Sequence, residues 1–399
     1  MTAPAALPAG LTPEALADAT AEPDPDGLAA ATRLRAAHGP EAAAAALHQV
    51  SLRRRARTKF GERAATMFFT REGLEQATRP AVAAHHAARL VAAGATRVVD
   101  LGCGIGTDAL AFADAGLEVV AVERDAGTAE VAAANLGERG RVLCADAEDV
   151  AGDLLAPGTA AFCDPARRTG GGRLWRVTDF TPSWDLVGAL LAGDRVAGVK
   201  LGPALPHSLV PRTAEAEWVT HAGDTVEVGL WAGPGARPDL DVATLLPGSG
   251  GEGARLEVPR SGPGQPGEPL PVGPVGQYLF EPDGAVIRAR GVAPLGRQLG
   301  AHLLDPEIAY LTGDEAPATP FATTFEVLEV LGAGEKVLRR WVRERDVGTL
   351  EIKKRGVDVD PAVLRRTLSP RGPHAATLVL SRTPSGAVAL VVRRVVTAP

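Results

Sequence analysis

The most informative segment of this chain is V-V-D-L-G-C-G-I-G-T-D-A-L, residues 98–110. An apolar strand runs into Asp100, three glycines then alternate with other residues, and a helix follows. The three glycines are Gly102, Gly104 and Gly106. Glycine at these positions lets the backbone turn sharply and approach a ligand that a Cβ would exclude. A dinucleotide-binding turn, G-x-G-x-x-G, would have glycine in place of Thr107, so the spacing predicts another kind of ligand site.

Strands and helices alternate from Arg97 to about Gly233 and predict a doubly wound α/β sheet. The predicted strands are 97–101, 118–123, 142–145, 160–164, 196–201, 217–221 and 225–231. The predicted helices are 107–115, 126–137, 183–192 and 205–211. Only A-G-D, residues 222–224, separates the last two strands, so they form a hairpin with an antiparallel edge strand. This pattern predicts a Rossmann-like sheet of seven strands, not the six-stranded all-parallel dinucleotide fold.

The D-x-G-x-G-x-G spacing from Asp100 resembles the first motif of class I S-adenosylmethionine-dependent methyltransferases. The resemblance implies a seven-stranded methyltransferase sheet with S-adenosylmethionine as cofactor and the glycine turn packed on its methionine end. It also implies that Asp100 helps to hold the amino-acid portion, assisted by Asp108. The implied contacts from the turn and the next helix are Gly102, Cys103, Gly104, Gly106 and Thr107.

Two further acids follow the second and third strands. Glu123 ends the second strand in V-V-A-V-E-R-D, where a carboxylate can accept hydrogen bonds from both ribose hydroxyls. Asp125 is the alternative, but its position favours capping of the next helix. Asp146, in L-C-A-D-A-E-D, fits the position that contacts the adenine amino group in the resembling family. A turn or cap role for Asp146 is the other interpretation.

The segment A-F-C-D-P-A-R-R, residues 161–168, bears on the substrate. Amino-methylating enzymes of the resembling class carry an N/D/S-P-P-Y/F/W motif here, whose polar group accepts hydrogen bonds from the target amine. Asp164 and Pro165 match the start of that motif, whereas Ala166 and Arg167 depart from it. Asp164, Pro165 and Arg167 are the catalytic candidates, with Arg167 stacking on a base or binding phosphate. Arg168 is a candidate RNA contact.

A purely structural turn with a buried Arg–Asp pair is the alternative reading of this segment. If the segment is catalytic, the missing aromatic surface has to come from elsewhere; the candidates are Trp175, Phe68 and Phe69. Upstream, residues 67–83, M-F-F-T-R-E-G-L-E-Q-A-T-R-P-A-V-A, resemble the segment that closes over the cofactor in trimethylguanosine synthase-like RNA methyltransferases. Its polar candidates are Thr70, Gln76 and Thr78. This similarity spans about residues 60–235.

The first 80 residues are predicted to be helical, with Thr12 capping one helix and Pro40 opening the next. After the sheet, residues 247–276 contain 16 glycines or prolines in 30 positions and predict a connector or surface loop. Short strands are predicted on either side of it. The end of the chain is predicted to be a small α+β unit with a helix over 324–344, a second helix over 361–367, and strands over 376–381 and 387–394.

Bulk composition narrows the class of protein. The chain has 399 residues, 45% hydrophobic and 23% charged, as expected of a globular protein with two or three domains. The eight histidines form no ligand cluster, and we expect the pair His85-His86 to pack between helices rather than to bind metal. The three cysteines, Cys103, Cys144 and Cys163, are expected to be buried and reduced. Without a signal peptide or a long apolar run, the expected location is the cytoplasm, with no membrane partner.

The C-terminal pattern L-E-I-K-K-R-G-V-D-V-D-P, followed by A-T-L-V-L-S-R, resembles the THUMP-like domain of bacterial methyltransferases. Residues 321–399 carry 14 Lys and Arg against 8 Asp and Glu, which leaves a net −12 on the remainder. A basic module on an acidic body suggests contact with a polyanion. Since THUMP modules bind structured RNA, the candidate phosphate contacts are Lys353, Lys354, Arg355 and Arg382. A stabilising or dimerising appendage is the alternative.

The sequence thus predicts four regions: a helical region 1–80, a methyltransferase domain 81–235, a linker with connecting strands 236–320, and a THUMP-like domain 321–399. The predicted function is methyl transfer from S-adenosylmethionine to a base nitrogen of RNA, with tRNA or rRNA as partner. Two alternatives remain at this level: a small-molecule or protein N-methyltransferase, and a non-catalytic RNA-binding protein that keeps the fold.

Overall fold

A computed structural model describes residues 7–167, 180–248, 253–260 and 269–395. The chain divides into two compact units. The first comprises Met1–His221, Val226–Asp239 and Gly248–Gly250, and the second comprises Ala222–Thr225, Leu240–Pro247 and Gly251–Pro399. The predicted boundaries at residues 80, 235 and 320 stay a prediction. None of the helices within the described part of the chain has both the length and the apolar character needed to cross a membrane.

In the described part of the chain five α-helices precede the sheet, and the capping signals at Thr12 and Pro40 predict the starts of two of them. They are α1 (Pro13–Ala21), α2 (Leu28–His38), α3 (Pro40–Phe60), α4 (Arg71–Gln76) and α5 (Pro80–Ala92). The Thr12 hydroxyl accepts a hydrogen bond from the Ala15 N–H at 3.2 Å, which satisfies one of the free donors at the start of α1. Proline occupies the first turn of α1, α3 and α5, where its missing N–H costs nothing.

The central sheet confirms the predicted fold class. The strands of this part are β1 (Arg97–Leu101), β2 (Glu118–Glu123), β3 (Gly140–Cys144), β4 (Ala160–Cys163), β5 (Ala166–Arg167), β6 (Phe180–Thr181), β7 (Ala197–Leu201), β8 (Glu215–His221) and β9 (Asp224–Ala232). Seven of them lie in the order β8-β9-β7-β4-β1-β2-β3, while β5 and β6 pair separately. Strands β3, β2, β1, β4 and β7 are mutually parallel, and β9 runs antiparallel to β7. The carboxyl ends of β1, β2, β4 and β7 therefore meet at one edge, where such sheets bind ligands.

The helices between these strands are α6 (Thr107–Asp114), α7 (Ala126–Leu136), α8 (Ala147–Leu154) and α9 (Trp184–Ala192). Helix α8 was not predicted. The predicted helix over 205–211 is wrong, because the structure has only a 3-10 turn at His207–Leu209. Pro206 and Pro211 bracket this turn, and a residue before proline is driven out of the helical region. Cys144 is exposed at the end of the outer strand β3, contrary to prediction, while Cys103 and Cys163 are buried.

The second unit contains a seven-stranded sheet with helices on it. Its elements are β10 (Leu240–Leu246), β11 (Ala254–Pro259), β12 (Tyr278–Pro282), α10 (Gly284–Arg288), α11 (Val292–Gln298), β13 (His302–Asp305), β14 (Ile308–Gly313), β15 (Ala322–Gly332), α12 (Glu335–Glu344), β16 (Val347–Arg355), α13 (Pro361–Leu368), β17 (His374–Thr383) and β18 (Gly386–Arg394). The strand order is β13-β14-β12-β15-β18-β17-β16. Helices α12 and α13 bury Leu338, Trp341 and Leu368 in a core shared with β16, β17 and β18.

Two predictions for this unit are corrected. The predicted helix over 324–344 is a long strand, β15, followed by the shorter helix α12. Strand β15 pairs with β12 on one side and β18 on the other, and these backbone hydrogen bonds override the local helical pattern. The predicted connector at 247–276 contains β11, which pairs with β10 as an antiparallel hairpin. Helix α13 and strands β17 and β18 lie where they were predicted.

Candidate functional site

The glycine turn joins β1 to α6 and lies against β2. Gly102, Gly104 and Gly106 have φ values of +84°, +54° and +81°, a region that favours glycine. The N–H groups of Gly102 and Cys103 both donate to the Val122 carbonyl, at 2.9 and 3.0 Å. A Cβ at Gly102 would lie 3.3 Å from the Asp164 carbonyl oxygen. The turn is therefore fixed to its neighbouring strand on one side and touches the end of β4 on the other.

The acids that follow β2 and β3 accept hydrogen bonds from nearby backbone N–H groups. Glu123 accepts hydrogen bonds from the Gly104 N–H at 3.1 Å and the Asp125 N–H at 2.9 Å. Asp125 caps α7 by accepting from the Thr128 N–H, as predicted. Asp146 caps α8 by accepting from the Glu148 N–H at 3.0 Å. The cap interpretation of Asp146 is thus confirmed, and its contact with adenine stays a prediction.

Asp100 is the buried acid of the site. It is 1% exposed, and within the part of the chain that the structure describes its Oδ2 atom has no hydrogen-bond partner. Burial, followed by the nearby carboxylates of Asp108 and Asp164, raises the pKa of Asp100 well above its ordinary value. A buried acceptor without a partner costs about 1–3 kcal/mol. A cationic donor placed at Asp100 would remove that cost and lower the pKa again.

Asp108 belongs to a buried chain of ion pairs that the sequence did not reveal. Its two oxygens accept a hydrogen bond from the Thr78 hydroxyl and contact His86 Nδ1 at 2.8 Å. The other ring nitrogen of His86 lies 2.6 Å from Glu227 Oε1. Burial by itself would lower the pKa of His86, but Glu227 and Asp108 outweigh it and raise the pKa to about 10. His86 is therefore an imidazolium that donates to both carboxylates.

The expectation that His85 and His86 pack between helices is confirmed for His86, which joins α5 to α6 through Asp108, and is wrong for His85. His86 bridges α6 and β9, and His85 Nε2 lies 3.0 Å from Glu217 Oε1 on β8. The same face of α5 presents Arg89, whose guanidinium contacts Glu215 and Glu217 at 2.7 Å. Where α5 meets this part of the sheet, several contacts are therefore ionic. No periodic pattern marks such a face, because the acids lie more than 120 residues away in sequence.

Asp164 directly follows β4, and its partner was not foreseen. Its Oδ2 accepts a hydrogen bond from the ammonium of Lys200 on β7, and the Asp164 side chain is 36% exposed. Burial raises the pKa of Asp164, and Lys200 opposes that rise. Burial would lower the pKa of Lys200, but Asp164, Asp108 and Glu227 outweigh it and raise it. The carboxylate is thus held in place by the Lys200 ammonium and is open on one side.

The remaining residues of D-P-A-R-R are only partly described. Pro165 is buried, and the backbone of Arg167 pairs with Phe180 in the two-stranded sheet β5–β6. Arg168 and Trp175 lie outside the described residues. Phe68 and Phe69 are buried at 8% and 1% exposure, so neither ring offers a free face for a base, contrary to that expectation.

The 67–83 segment lies against the glycine turn. Thr70 caps α4 by accepting from the Gly73 N–H at 2.9 Å, and a Cβ at Gly73 would come within 2.3 Å of the Ile105 side chain. Asn135 on α7 ties the two parts together, because its amide donates to the carbonyls of Phe68 and Ile105, both at 2.9 Å. Asn135 is a site residue that the sequence does not predict. An interior amide on a helix carries no local signal of this bridging role.

In the second unit the four predicted phosphate contacts differ in whether a carboxylate already pairs with them. Lys353 pairs with Glu281 at 2.7 Å, and Arg355 lies 3.8 Å from the same carboxylate. Arg382 contacts Asp305 through two hydrogen bonds of 3.0 Å and also reaches Glu307. Lys354 points from β16 into solvent, and its ammonium lies 3.5 Å from the Val357 carbonyl. Of the four, it alone is without an ion pair among the described residues.

Together, a parallel sheet, a glycine turn and acids on the neighbouring strand ends define an α/β enzyme domain of the nucleotide-cofactor class. Family comparisons identify a methyltransferase domain at residues 99–163, a THUMP domain-like region at 322–394 and a domain of unknown function at 8–56. Within the described residues, no group of three or more His, Cys, Asp or Glu could hold a metal ion.

Two relatives, described as uncharacterized S-adenosylmethionine-dependent methyltransferases, come from Mycobacterium tuberculosis strains CDC 1551 and H37Rv. Each is 36% identical over 360 residues, which covers 85% of this chain and 93% of the relative. The chain belongs to the S-adenosylmethionine-dependent methyltransferases, and its cofactor is S-adenosylmethionine. The crystal structure of a "putative methyltransferase" from Porphyromonas gingivalis W83 has the same fold, with a TM-score of 0.76 and 22% identity, covering 96% of this chain and 98% of that one.

Proposed function

We propose that this enzyme methylates a nitrogen of an RNA base and that the glycine turn with its neighbouring acids holds the cofactor. The main support for this reaction is the position of Asp164. Its carboxylate is partly exposed, and its backbone carbonyl lies against Gly102 of the turn. An amine bound at Asp164 would therefore lie beside the methionine end of the cofactor. The THUMP domain-like region supports RNA as the substrate.

The cofactor fits the residues present. Its ammonium would supply the donor that Asp100 Oδ2 lacks, and its net positive charge suits a site with several carboxylates. The backbone of Gly102, Cys103, Gly104 and Gly106 would form the floor, with Thr107 and Asp108 at the start of α6. Glu123 would bind the ribose hydroxyls, and Asp146 would contact the adenine amino group.

When bound, S-adenosylmethionine supplies a methyl group on a positively charged sulfur, which a nitrogen lone pair displaces in line. Positioning and exclusion of water therefore dominate the contribution of the protein. Asp164 accepts a hydrogen bond from the amine, orients its lone pair, and takes the proton that the methylated nitrogen releases. Pro165 fixes the chain next to it, and Arg167 and Arg168 are proposed to contact the RNA.

The principal test is methyl transfer from radiolabelled S-adenosylmethionine to unmodified tRNA and rRNA transcripts. Mass spectrometry of RNA nucleosides from a strain lacking the gene, compared with its parent, would name the base and atom. We expect one methylated nucleoside to disappear in that strain. If the purified protein binds the cofactor and no RNA gains a methyl group, the proposal of an RNA substrate fails, and a small-molecule or protein substrate replaces it.

For the cofactor site, we expect Glu123→Ala to weaken S-adenosylmethionine binding by roughly 10–100-fold, because about 1.5–3 kcal/mol of charge-assisted hydrogen bonding to the ribose is lost. Calorimetry measures this directly. Glu118→Ala is the matched control, since Glu118 begins the same strand and, among the described residues, its carboxylate forms only an exposed pair with Arg97 at 3.5 Å. Equal affinities in the two variants would remove Glu123 from the cofactor site.

For RNA binding, Lys353, Lys354 and Arg355 are proposed phosphate contacts, with Lys354 the strongest because it is exposed and forms no ion pair with a described residue. We expect Lys354→Ala to weaken tRNA binding and to lower the slope of log affinity against log salt by about 0.7–0.9. Lys353→Ala, on the same strand, should change the slope less, because Glu281 already neutralises that ammonium. Filter binding over a salt series measures both slopes, and a Lys354→Ala slope equal to wild type would exclude this contact.

A further inference from the structure

The Asp164–Lys200 pair also bears on which amines the site accepts. The two residues lie at the carboxyl ends of β4 and β7, which pair in parallel with Cys163 opposite Val199. Asp164 Oδ2 is the one acceptor of the Lys200 ammonium among the described residues, and the Lys200 side chain is 14% exposed. Any amine that reaches Asp164 therefore also comes close to a fixed positive charge.

We infer that this pair selects an uncharged amine, such as one attached to an aromatic ring, and rejects an alkylammonium such as a lysine side chain or a polyamine. The inference rests on the proposed function, because it takes Asp164 as the group that binds the methyl-accepting amine. Lys200 already neutralises the carboxylate, so a second cation gains little attraction and is repelled by the ammonium. An uncharged amine donates to the oxygen of Asp164 that Lys200 does not contact, without that repulsion.

The proton transfers in the reaction also favour an uncharged amine over an alkylammonium. An aromatic amine is unprotonated at neutral pH, so its lone pair attacks without prior loss of a proton. The nitrogen–carbon bond forms, the sulfur–carbon bond breaks with its electron pair on sulfur, and the nitrogen then releases one proton toward Asp164 or water. An alkylammonium would have to lose a proton first, and the Asp164 carboxylate, paired with Lys200, is a weak base for that step.

The charged groups around the pair come from several elements. The carboxylates of Asp100 on β1, Asp108 on α6 and Glu227 on β9 interact electrostatically with the pair. The ammonium of Lys59 on α3 repels that of Lys200. The imidazolium of His86 balances Asp108 and Glu227. If Lys200 loses its charge, burial and these acids act unopposed and raise the pKa of Asp164 further. The carboxylate would then protonate closer to neutral pH and stop accepting from the amine.

The first experiment compares methyl acceptors with the wild-type enzyme. The probes are unmodified tRNA and rRNA transcripts and the free nucleosides adenosine, guanosine and cytidine for aromatic amines, and spermidine and a lysine-rich peptide for alkylammonium. We expect label only in the aromatic set, with kcat/KM nearly independent of pH between 7 and 9. Methylation of an alkylammonium would instead rise about tenfold per pH unit over that range, because the free amine is the reactive form. Labelling of spermidine or the peptide would overturn the inference.

The second experiment removes the charge. With the aromatic acceptor, we expect Lys200→Met to lower kcat/KM at pH 7 at least tenfold and to move the acid limb of the pH profile upward by one unit or more. Lys200→Arg keeps the charge and should keep the wild-type profile. Cofactor affinity and melting temperature report folding, and Lys200→Gln replaces Lys200→Met if the latter does not fold. A wild-type pH profile in the uncharged variant contradicts the role of Lys200.

The outcomes separate this inference from the proposed function. If an aromatic nucleoside is methylated and no RNA is, the proposal of an RNA substrate is overturned. The same result supports the inference that the site selects uncharged amines. If no probe is methylated, the inference is tested by carbon-13 NMR titration of the Asp164 carboxyl group. The Asp164→Asn variant assigns its resonance. A higher Asp164 pKa in Lys200→Met than in the wild type supports the inference, and equal pKa values overturn it.

Discussion

Replacing Asp164 with alanine is expected to reduce methyl transfer by about 100-fold or more while leaving the affinity for S-adenosylmethionine nearly unchanged. The side chain is the group that orients the amine, and misplacement of a reacting atom by about 1 Å can cost that much. The contact between this residue and the glycine turn is made by its backbone carbonyl, which alanine retains. Calorimetry with the cofactor and initial rates on the acceptor measure the two quantities separately.

Control variants test whether the loss of activity comes from the unpaired Lys200 ammonium rather than from the missing carboxylate. Asp164→Ala leaves the Lys200 ammonium without its partner, so Asp164→Asn, whose amide oxygen can still accept from Lys200, should be folded and equally inactive. Asp153→Ala, on the exposed side of α8, should behave as wild type. A fully active Asp164→Ala variant would remove this residue from the reaction.

The second large effect concerns stability. We expect His86→Leu to lower the free energy of unfolding by about 3–5 kcal/mol, because it leaves the buried carboxylates of Asp108 and Glu227 without their shared cation. Chemical denaturation measures the change. His85→Leu is the matched control: its partner Glu217 keeps a contact with Arg89 at 2.7 Å, so the loss should be much smaller.

The ionic origin of that stability can be tested by a double substitution. Adding Glu227→Gln to His86→Leu removes one of the two stranded charges, so it should recover part of the lost stability. A double variant less stable than His86→Leu alone would show that the cavity, rather than the unpaired acids, dominates.

The same histidine predicts a pH dependence. Its pKa is raised to about 10 in the folded state and is about 6.5 in the unfolded state, so the folded protein keeps a proton that the unfolded chain releases. This stabilisation is complete below pH 6.5 and is lost as pH rises toward 10, by at most about 1.4 kcal/mol per unit. Burial, with Lys200 and Arg79, lowers the pKa of Lys59 to about 8, which acts in the opposite sense above pH 8. The raised pKa of Asp100 changes stability in the same sense as His86, so His86 has to be followed by its own NMR signals, which should show the ring still protonated at pH 6.5–8.

Much of the fold could be predicted because its signals are local. The glycine spacing, the alternation of strands with helices, and the capping residues Thr12 and Asp125 all act within a few residues, and the structure confirms them. The failures have different causes: Pro206 and Pro211 prevent the helix predicted over 205–211 locally, whereas the helix predicted over 324–344 is overridden by tertiary contacts. Strand β15 resembles a helix in isolation, and only pairing with β12 and β18 makes it a strand.

The strand–glycine turn–helix could be predicted from contiguous residues, because a glycine-rich turn and an acid at a strand end are local features. The resemblance of their spacing to the methyltransferase motif indicated the class of cofactor. The partners of those residues, in contrast, depend on how the chain folds. Lys200 reaches Asp164 across 36 positions, and Glu227 reaches His86 across 141. The strength of an interaction between charges depends on their distance in space and on burial, and sequence separation predicts neither. For that reason the ion pairs that set the ionisation of Asp164 and Asp108 became visible only once the chain was folded.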